Sequence, residues 1–202
     1  MKLLIATNNP DKLREICAIF TPDGLELVSM RDVPGAPDVI EDGATLHANA
    51  IKKAAEPARA TGLWTLADDS GLEVDALNGA PGVHSAYYAG EHGDYPANNR
   101  KLLAEMNGQT DRRARFRCII ALASPDGIVD TVSGACEGII LDQPRGDRGF
   151  GYDPLFVPDG YDQSFAELDP ETKNRISHRA RALEAARQKW GDMFKEMAGP
   201  KR

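Results

Sequence analysis

The amino-acid sequence predicts a mixed α/β fold built as one domain over residues 1–202. Apolar runs of strand length occur at residues 2–6 and 63–67, and the first is followed by an apolar stripe at helical spacing. Two longer apolar segments flank the turn signal at residues 124–127, which favours an antiparallel strand pair. With 42% hydrophobic and 27% charged residues, the 202-residue chain can bury a core, and it has no internal repeat or linker.

The first third of the chain is predicted to alternate strands and helices. Asn9 is a good helix cap, and Pro10 suits the first helical position because its missing N–H would be unpaired there anyway. Pro57 is expected to end or kink the second helix. The predicted elements are a strand over residues 2–6, a helix from Pro10 until Pro22-Asp23-Gly24, a strand over residues 25–29, a Pro/Gly/Asp-rich loop over residues 32–43 and a helix from Ala44 to Gly62.

The remainder is predicted to be rich in strands and to end in a helix. Residues 63–67 and 72–75 are predicted as separate strands, because Asp68-Asp69-Ser70-Gly71 between them is typical of a turn. The other predicted elements are a Gly-rich loop over residues 78–96, a helix over 97–106, strands over 115–123 and 128–140, a second Gly-rich loop over 144–153 and a final helix opened by Ser177, with Leu183, Trp190, Phe194 and Met197 as its apolar stripe.

Charge and composition narrow the classes of function. The chain carries 24 Lys and Arg against 31 Asp and Glu, and this net charge of −7 argues against a nucleic-acid-binding protein. No stretch approaches the roughly 20 apolar residues of a membrane-spanning helix. The three cysteines lack metal-binding spacing and are expected to be buried thiols in a reducing compartment. We therefore expect a cytoplasmic protein with no nucleic-acid or membrane partner.

The segment Thr7-Asn8-Asn9-Pro10-Asp11-Lys12 joins the first predicted strand to the first predicted helix. A helix N-terminus presents unpaired N–H groups and the positive end of the helix dipole, and both favour an anion. Lys12 lies in the first turn, from which it can reach back toward a phosphate. A capped strand–helix junction with no ligand would have the same sequence, so both interpretations stay open for this segment alone.

Glu41, Asp68 and Asp69 form the acidic set of the sequence. Adjacent aspartates at the end of a strand repel one another unless a cation or a proton lies between them. Mg²⁺ prefers one or two carboxylates together with phosphate oxygens, which this set can supply. The alternative is a solvated acidic turn at Asp68-Asp69-Ser70-Gly71.

Two further segments suit the recognition of a flat, acceptor-rich ligand. In Gly149-Phe150-Gly151-Tyr152-Asp153-Pro154, the glycines let the backbone pass close to a ligand and Phe150 is available for stacking. Lys173 and Ser177-His178-Arg179 place donors at the start of the last helix. A buried hairpin corner and an exposed basic helix start are the structural alternatives for these two segments.

Taken in order along the chain, these segments resemble the inosine/xanthosine triphosphate pyrophosphatase family, the HAM1-like pyrophosphatases of non-standard purine triphosphates. The resemblance runs from about Lys2 to Ala186. It implies an elongated mixed β-sheet that splays into two lobes with flanking helices, an active site in the inter-lobe cleft, and a homodimer. The segments that carry it are Thr7-Asn8-Asn9-Pro10-Asp11-Lys12, Ala67-Asp68-Asp69-Ser70-Gly71-Leu72, Gly79-Ala80-Pro81-Gly82, Gly149-Phe150-Gly151-Tyr152-Asp153-Pro154 and Ile176-Ser177-His178-Arg179.

The resemblance also implies a reaction and the residues that perform it. The substrates would be ITP, dITP and XTP, converted with Mg²⁺ to the monophosphate and pyrophosphate. Glu41 and Asp69 would bind the metal, Asp69 would accept the proton of the attacking water, and Lys53 would lie near the phosphates. Thr7, Asn8, Asn9, Pro10, Asp11, Lys12 and Ser70 would hold the triphosphate, while Phe150, Gly151, Tyr152, Asp153, Lys173, His178 and Arg179 would hold the base and adjoining nucleotide.

Two alternatives stay open on the sequence. One is a nucleotide-binding regulatory protein that binds without turnover, which would be expected to lack the acidic set. The other is a related pyrophosphatase with a different base preference. A panel of nucleotides with identification of the products distinguishes both from the first interpretation.

Overall fold

The computed structural model describes residues 1–22, 24–127 and 129–198, with the side chain of Val129 left aside. In these residues the strands are β1 (Lys2–Ile5), β2 (Glu26–Ser29), β3 (Trp64–Val74), β4 (Arg113–Ala123), β5 (Val129–Ile140) and β6 (Phe156–Pro158). The helices are α1 (Pro10–Ile19), α2 (Leu46–Thr61), α3 (Tyr95–Glu105), α4 (Pro170–Ile176) and α5 (His178–Ala198).

The described strands form one six-stranded sheet in the order β2-β1-β3-β4-β5-β6. β1 pairs parallel with both β2 and β3, whereas β5 pairs antiparallel with β6. The sheet is therefore mixed, and the predicted mixed α/β class is confirmed. The predicted helix stop at Asp23 and the predicted strand start at Ile128 lie outside the described residues.

The chain groups into two compact units by its internal contacts. Unit 1 consists of Met1–Asp69, Cys118–Gly134 and Arg179–Arg202, and unit 2 consists of Ser70–Arg117 and Ala135–His178. The middle strands β3, β4 and β5 each contribute residues to both units. The expectation of one domain over residues 1–202 stays a prediction.

The core of unit 1 lies around β1, whose residues Leu3, Leu4 and Ile5 are fully buried, as a strand with parallel neighbours on both sides requires. Helix α5 adds the stripe predicted from the sequence: Leu183, Trp190 and Phe194 are buried, and Met197 packs at the edge of the same cluster. Helix α2 contributes a second cluster through Ala50, Ala54 and Ala58, which recur every four residues on one face.

The core of unit 2 is aromatic. Phe116 on β4 packs edge-on against Phe156 on β6 with ring centroids 4.8 Å apart, and it stacks on Phe165 at 5.9 Å. The cluster also includes Leu72 and Leu102. Rings of this size bury enough apolar surface to anchor the short strand β6, which the sequence analysis did not predict.

The acidic segment Asp68-Asp69-Ser70-Gly71 is part of a strand, so its prediction as a turn between two strands is wrong. It lies within the continuous strand β3, which runs for 11 residues. Side chains alternate between the two faces of a strand, so Asp68 and Asp69 point to opposite sides and meet different partners. The two carboxylates therefore do not need a shared cation or a shared proton between them to limit their repulsion.

Pro57 lies inside α2, so of the two predicted effects, an end or a kink, the end at Pro57 is wrong. The helix continues to Thr61, whose hydroxyl donates to the carbonyl of Pro57 at 2.7 Å, and Gly62 in the left-handed conformation caps it. A proline inside a helix costs about 3 kcal/mol or more. Pro57 is among the buried residues of α2, and burial of its apolar ring contributes to offsetting the cost.

Several smaller predictions also need correction. The predicted loop over residues 78–96 contains a 3₁₀ helix at Gly82–Tyr87, and α4 was not predicted. Cys118 and Cys136 are buried as expected, but Cys17 is exposed on α1. Among the described helices, none combines the length and apolarity needed to cross a membrane.

Candidate active site

Asp69, one of the two predicted metal ligands in unit 1, is a buried carboxylate. It is 5% exposed, and its Oδ1 lies 3.5 Å from the ammonium of Lys53 on α2. The same ammonium lies 3.2 Å from Oε2 of Glu41, so Lys53 bridges the two carboxylates that the sequence assigned to a metal. The loop that carries Glu41 is pinned to α2, because the N–H of Gly43 donates to the side chain of Asn49 at 2.8 Å.

The electrostatics of this group raise the pKa of Asp69 to about 6. Burial is the largest cause, because it penalises the charged form, and the neighbouring carboxylates of Glu41 and Asp68 act in the same direction. The ammonium groups of Lys53 and Lys12 oppose the shift without cancelling it. Asp69 is therefore ionised at neutral pH but retains more basicity than an exposed aspartate.

Asp68 points to the other face of β3, where its direct partners are different. Its Oδ2 accepts from Nε and Nη2 of Arg179 at 3.2 and 3.0 Å, and the ammonium of Lys12 lies 3.2 Å from the same oxygen. Nη1 of Arg179 donates to Glu15 on α1. Burial alone would raise the pKa of Asp68, but Lys12 and Arg179 outweigh it and hold that pKa well below its usual range.

The N-terminus of α1 is more fully capped than the sequence analysis assumed. The side chain of Asn9 accepts from the N–H groups of Asp11 and Lys12 at 2.9 and 3.1 Å, and the N–H of Asn9 donates to the Thr7 hydroxyl at 3.2 Å. These amides are therefore already paired, and the assumption of unpaired donors is wrong for them. Asn8 is exposed and donates to Asp38 at 2.9 Å.

In unit 2, the carboxylate of Asp153 organises the Gly149–Pro154 segment. Its Oδ2 accepts from the N–H of Phe150 at 2.8 Å and from the ammonium of Lys173 at 2.6 Å. That ammonium also lies 5.1 Å from the centre of the Phe150 ring. Gly149 has φ +73°, and a Cβ there would lie 2.1 Å from Asp153 Oδ2, so only glycine lets this turn close.

The remaining predicted residues of unit 2 are buried or half-buried, or are held by hydrogen bonds. The ring of His178 is buried and stacks on Phe116, with centroids 4.7 Å apart and planes 14° from parallel. Tyr152 is buried, and its hydroxyl donates to the carbonyl of Ser85 at 3.0 Å, which makes it part of the scaffold. The carbonyl of Gly151 accepts from Asn99 on α3 at 3.0 Å. Ser70 is half-buried on β3.

The structure thus brings predicted residues together around three side chains. In unit 1, Glu41 and Asp69 meet at Lys53, whereas Lys12 and Arg179 meet at Asp68. In unit 2, Phe150 and Lys173 meet at Asp153. Sequence reasoning did not find Glu15, Phe116 or Asn99. The one signal available was that Glu15 lies three residues after Lys12 on α1, which places both on one helix face. The roles assigned to the site residues stay predictions.

Glu41 and Asp69 are the two carboxylates of this group that could hold a magnesium ion. Oδ2 of Asp69 is buried and finds no hydrogen-bond partner among the described residues, so it is available to a cation. The described residues contain no group of three or more His, Cys, Asp or Glu side chains arranged to hold a metal. Mg²⁺ takes one or two carboxylates plus phosphate oxygens and water, so two carboxylates are sufficient.

Comparison with known proteins identifies the family. The Ham1 family model matches residues 3–189. Over 188 residues the chain is 55% identical to a dITP/XTP pyrophosphatase of Desulforamulus reducens, with 92% of this chain and 94% of the relative covered. A dITP/XTP pyrophosphatase of Geobacter sulfurreducens is 53% identical over 184 residues, with 90% and 92% covered. The chain belongs to the Ham1 family.

Solved structures agree with this assignment. The Ham1 protein of Staphylococcus aureus matches with a TM-score of 0.86 and 39% identity, covering 96% of this chain and 100% of that one. A nucleoside-triphosphatase / dITP/XTP pyrophosphatase of Mycobacterium abscessus matches with a TM-score of 0.76 and 48% identity, covering 92% and 98%. The predicted family and the predicted enzyme class, a nucleoside triphosphate pyrophosphatase, are confirmed.

Proposed function

We propose that the protein is a Mg²⁺-dependent pyrophosphohydrolase that converts the non-standard purine nucleotides ITP, dITP and XTP to the monophosphate and pyrophosphate. The relatives named as dITP/XTP pyrophosphatases support this substrate class. The observation on this chain that carries the proposal is Asp69, a buried carboxylate of raised pKa with one available oxygen, beside Glu41 and Lys53. Such an enzyme would remove damaged purine nucleotides from the nucleotide pool.

Glu41 and Asp69 would hold the magnesium ion, and their charges and spacing around Lys53 support this assignment. When bound, the ion neutralises phosphate charge and polarises the phosphoryl oxygens. In the structure, the ammonium of Lys53 holds the two carboxylates near each other. With the ion bound between the carboxylates and the substrate, Lys53 would offset charge on the phosphates. Lys12, which is partly exposed at the start of α1, would contribute a second positive charge.

Asp69 would also accept the proton of the attacking water. A general base works best when its pKa lies near the working pH, because it is then mostly ionised and still basic. A pKa of about 6 meets that condition at neutral pH. The water oxygen would bond to the α-phosphorus, the α–β phosphoanhydride bond would break, and pyrophosphate would leave.

The Phe150–Asp153 segment with Lys173, His178 and Arg179 would hold the base and adjoining nucleotide. The ring of Phe150 is suited to stacking, and the ammonium of Lys173 is held in place by Asp153. Inosine and xanthosine carry a 6-oxo group that accepts hydrogen bonds, whereas adenine presents a 6-amino donor. Cationic donors therefore favour the former, since a donor facing a donor leaves both without a bond. Thr7 to Asp11 and Ser70 complete the proposed phosphate contacts.

We also propose that the protein is a homodimer and works in the cytoplasm. The homodimer rests on the family. The cytoplasmic location rests on the three cysteines, which form no disulfide and lack metal-binding spacing. Gel filtration with light scattering tests the dimer. A measured mass near 22 kDa would show a monomer and contradict it.

The decisive experiment is a nucleotide panel with product identification. With Mg²⁺ and ITP, equal amounts of pyrophosphate and inosine monophosphate are expected, and ATP should be a poor substrate. Asp69→Asn serves as the inactive control. Release of inosine diphosphate with orthophosphate would show cleavage of the wrong bond. Tight nucleotide binding without turnover would instead favour the regulatory alternative.

A further inference from the structure

Three consecutive residues of the loop that carries Glu41 are each held by a residue of α2. In chain order, the contacts are Glu41 Oε2 to the Lys53 ammonium at 3.2 Å, Asp42 Oδ1 to the Lys52 ammonium at 2.7 Å, and the N–H of Gly43 to Oδ1 of Asn49 at 2.8 Å. All of these residues belong to unit 1. Helix α2 therefore fixes the position of a predicted metal ligand relative to Asp69, which the same lysine ammonium contacts.

These three contacts do not hold the loop equally well. The ion pair of Asp42 with Lys52 joins side chains that are 68% and 31% exposed, and an ion pair so accessible to water contributes little. The ammonium of Lys53 is shared between two carboxylates, and the proposed function turns its charge toward the phosphates. The hydrogen bond from Gly43 to Asn49 involves neither of these charges, so it can hold the loop both before and after a nucleotide binds.

Asn49 and Gly43 are fitted to each other. Asn49 is 2% exposed inside a helix, where asparagine is a weaker helix former than alanine, and burial of its polar side chain is costly unless it makes hydrogen bonds. A Cβ on Gly43 would lie 2.5 Å from Oδ1 of Asn49 and 3.0 Å from Cβ of Ala48. The φ angle of Gly43 is outside the left-handed region, so the close approach to α2, and not a turn, is the reason for glycine here.

We propose that Asn49 is a positioning residue that acts through Gly43 to fix the carboxylate of Glu41, and that this contact gives the metal site its preference for Mg²⁺ over Ca²⁺. The inference rests on the proposed function. Mg²⁺ demands short bonds in near-ideal octahedral geometry, whereas the larger Ca²⁺ accepts more oxygen ligands in flexible arrangements. A glutamate held in one place suits Mg²⁺, and loosening its loop therefore weakens Mg²⁺ binding more than Ca²⁺ binding.

The test measures the Kd of MgCl₂ and of CaCl₂ for the nucleotide-free protein by isothermal titration calorimetry. Asn49→Leu keeps a side chain of similar size but removes the acceptor for the N–H of Gly43. Its Kd for Mg²⁺ is expected to rise about 10-fold or more, as is typical when a residue that orients a metal ligand is lost, and its Kd for Ca²⁺ by a clearly smaller factor. Lys52→Gln is the matched control, because it removes only the exposed contact to the neighbouring loop residue, and it should match the wild type for both ions.

Gly43→Ala disturbs the same contact from the loop side and does not depend on whether Asn49→Leu folds. The added Cβ meets Oδ1 of Asn49, so the loop must shift away from α2. This variant should also lose affinity for Mg²⁺ more than for Ca²⁺, and combining it with Asn49→Leu should weaken Mg²⁺ binding little further, because both changes break one contact. Circular dichroism and thermal melting check that each variant is folded.

The outcomes separate this inference from the proposed function. A wild type that releases no pyrophosphate from ITP would count against the proposed function, and the metal titrations are made without any nucleotide. With an active wild type, an unchanged Kd for Mg²⁺ in folded Asn49→Leu or Gly43→Ala would overturn the positioning role alone. Equal losses of Mg²⁺ and Ca²⁺ affinity, or full additivity of the two substitutions, would overturn it as well, because they would indicate a general structural effect.

Discussion

Replacing Asp69 by asparagine should stabilise the magnesium-free protein while removing most of its activity. Burial is the main reason that the pKa of Asp69 is raised to about 6, against about 3.9 for an aspartate in an unfolded chain. The folded state thus binds this proton more tightly, and ionised Asp69 lowers the free energy of unfolding. A difference of about 2 pKa units corresponds to about 3 kcal/mol.

The pH dependence follows from the sign of this shift. Below about pH 4 the carboxyl group of Asp69 is protonated in both the folded and the unfolded state, so there is no penalty, that is, no loss of free energy of unfolding from its ionisation. The penalty grows between about pH 4 and 6 and is complete above that range. Because asparagine cannot ionise, the variant should equal the wild type in free energy of unfolding near pH 4 and exceed it by about 3 kcal/mol at pH 8.

Urea unfolding in the presence of a chelator, at both pH values, measures the difference. The kcat of Asp69→Asn should fall by roughly 10²-fold or more, as for a lost general base. Asp68→Asn is the matched control on the same strand, and it should destabilise the protein, because the cations around Asp68 lower its pKa despite burial. An Asp69→Asn variant no more stable than the wild type at pH 8 would refute burial as the main cause of the raised pKa.

Three further predictions concern single side chains. Glu41→Gln should raise the Mg²⁺ concentration for half-maximal activity at least about 10-fold, a loss typical even for residues that only orient a metal ligand; an unchanged Mg²⁺ titration would remove Glu41 from the metal site. Phe150→Leu should raise the KM for ITP roughly 10-fold with little change in kcat, because base–aromatic stacking is worth roughly 1–3 kcal/mol; steady-state kinetics would contradict this if only kcat fell. Gly149→Ala should cost about 2 kcal/mol in the free energy of unfolding, since its φ is +73° and the new Cβ would meet Asp153; a urea midpoint equal to the wild type would show that the turn relaxes freely.

The local features of the fold were predictable where short-range chemistry decides them. Asn9 caps α1 with its side chain, Pro10 is the first helical residue, and Gly62 ends α2, all as the sequence indicates. The extent of β3, and whether Pro57 ends α2, were not predictable in the same way. Both depend on packing against neighbouring elements, which overrides local turn and helix preferences.

For the candidate site, the sequence identified residue types but not their partners. Of the acidic set Glu41, Asp68 and Asp69, the first and the last lie at Lys53, and Asp68 lies at Lys12. The roles assigned to them stay predictions. The bond between Arg179 and Asp68 joins residues 111 positions apart, and no local pattern reports such a pair. The buried ion network of the Arg179 guanidinium was therefore not predictable from the sequence, and the assignment of Arg179 to the base and adjoining nucleotide stays a prediction.

The sequence by itself determined the family, the fold class and the ordered set of polar segments, because caps, apolar periodicity and short motifs are written within a few residues of each other. Only the tertiary structure decided which charged side chains pair with one another. Asp68 and Asp69 are neighbours in the chain, yet the alternation of a strand sends one to Arg179 and the other toward Lys53. Their pKa values then shift in opposite directions, because burial and nearby charge depend on distances that only folding sets.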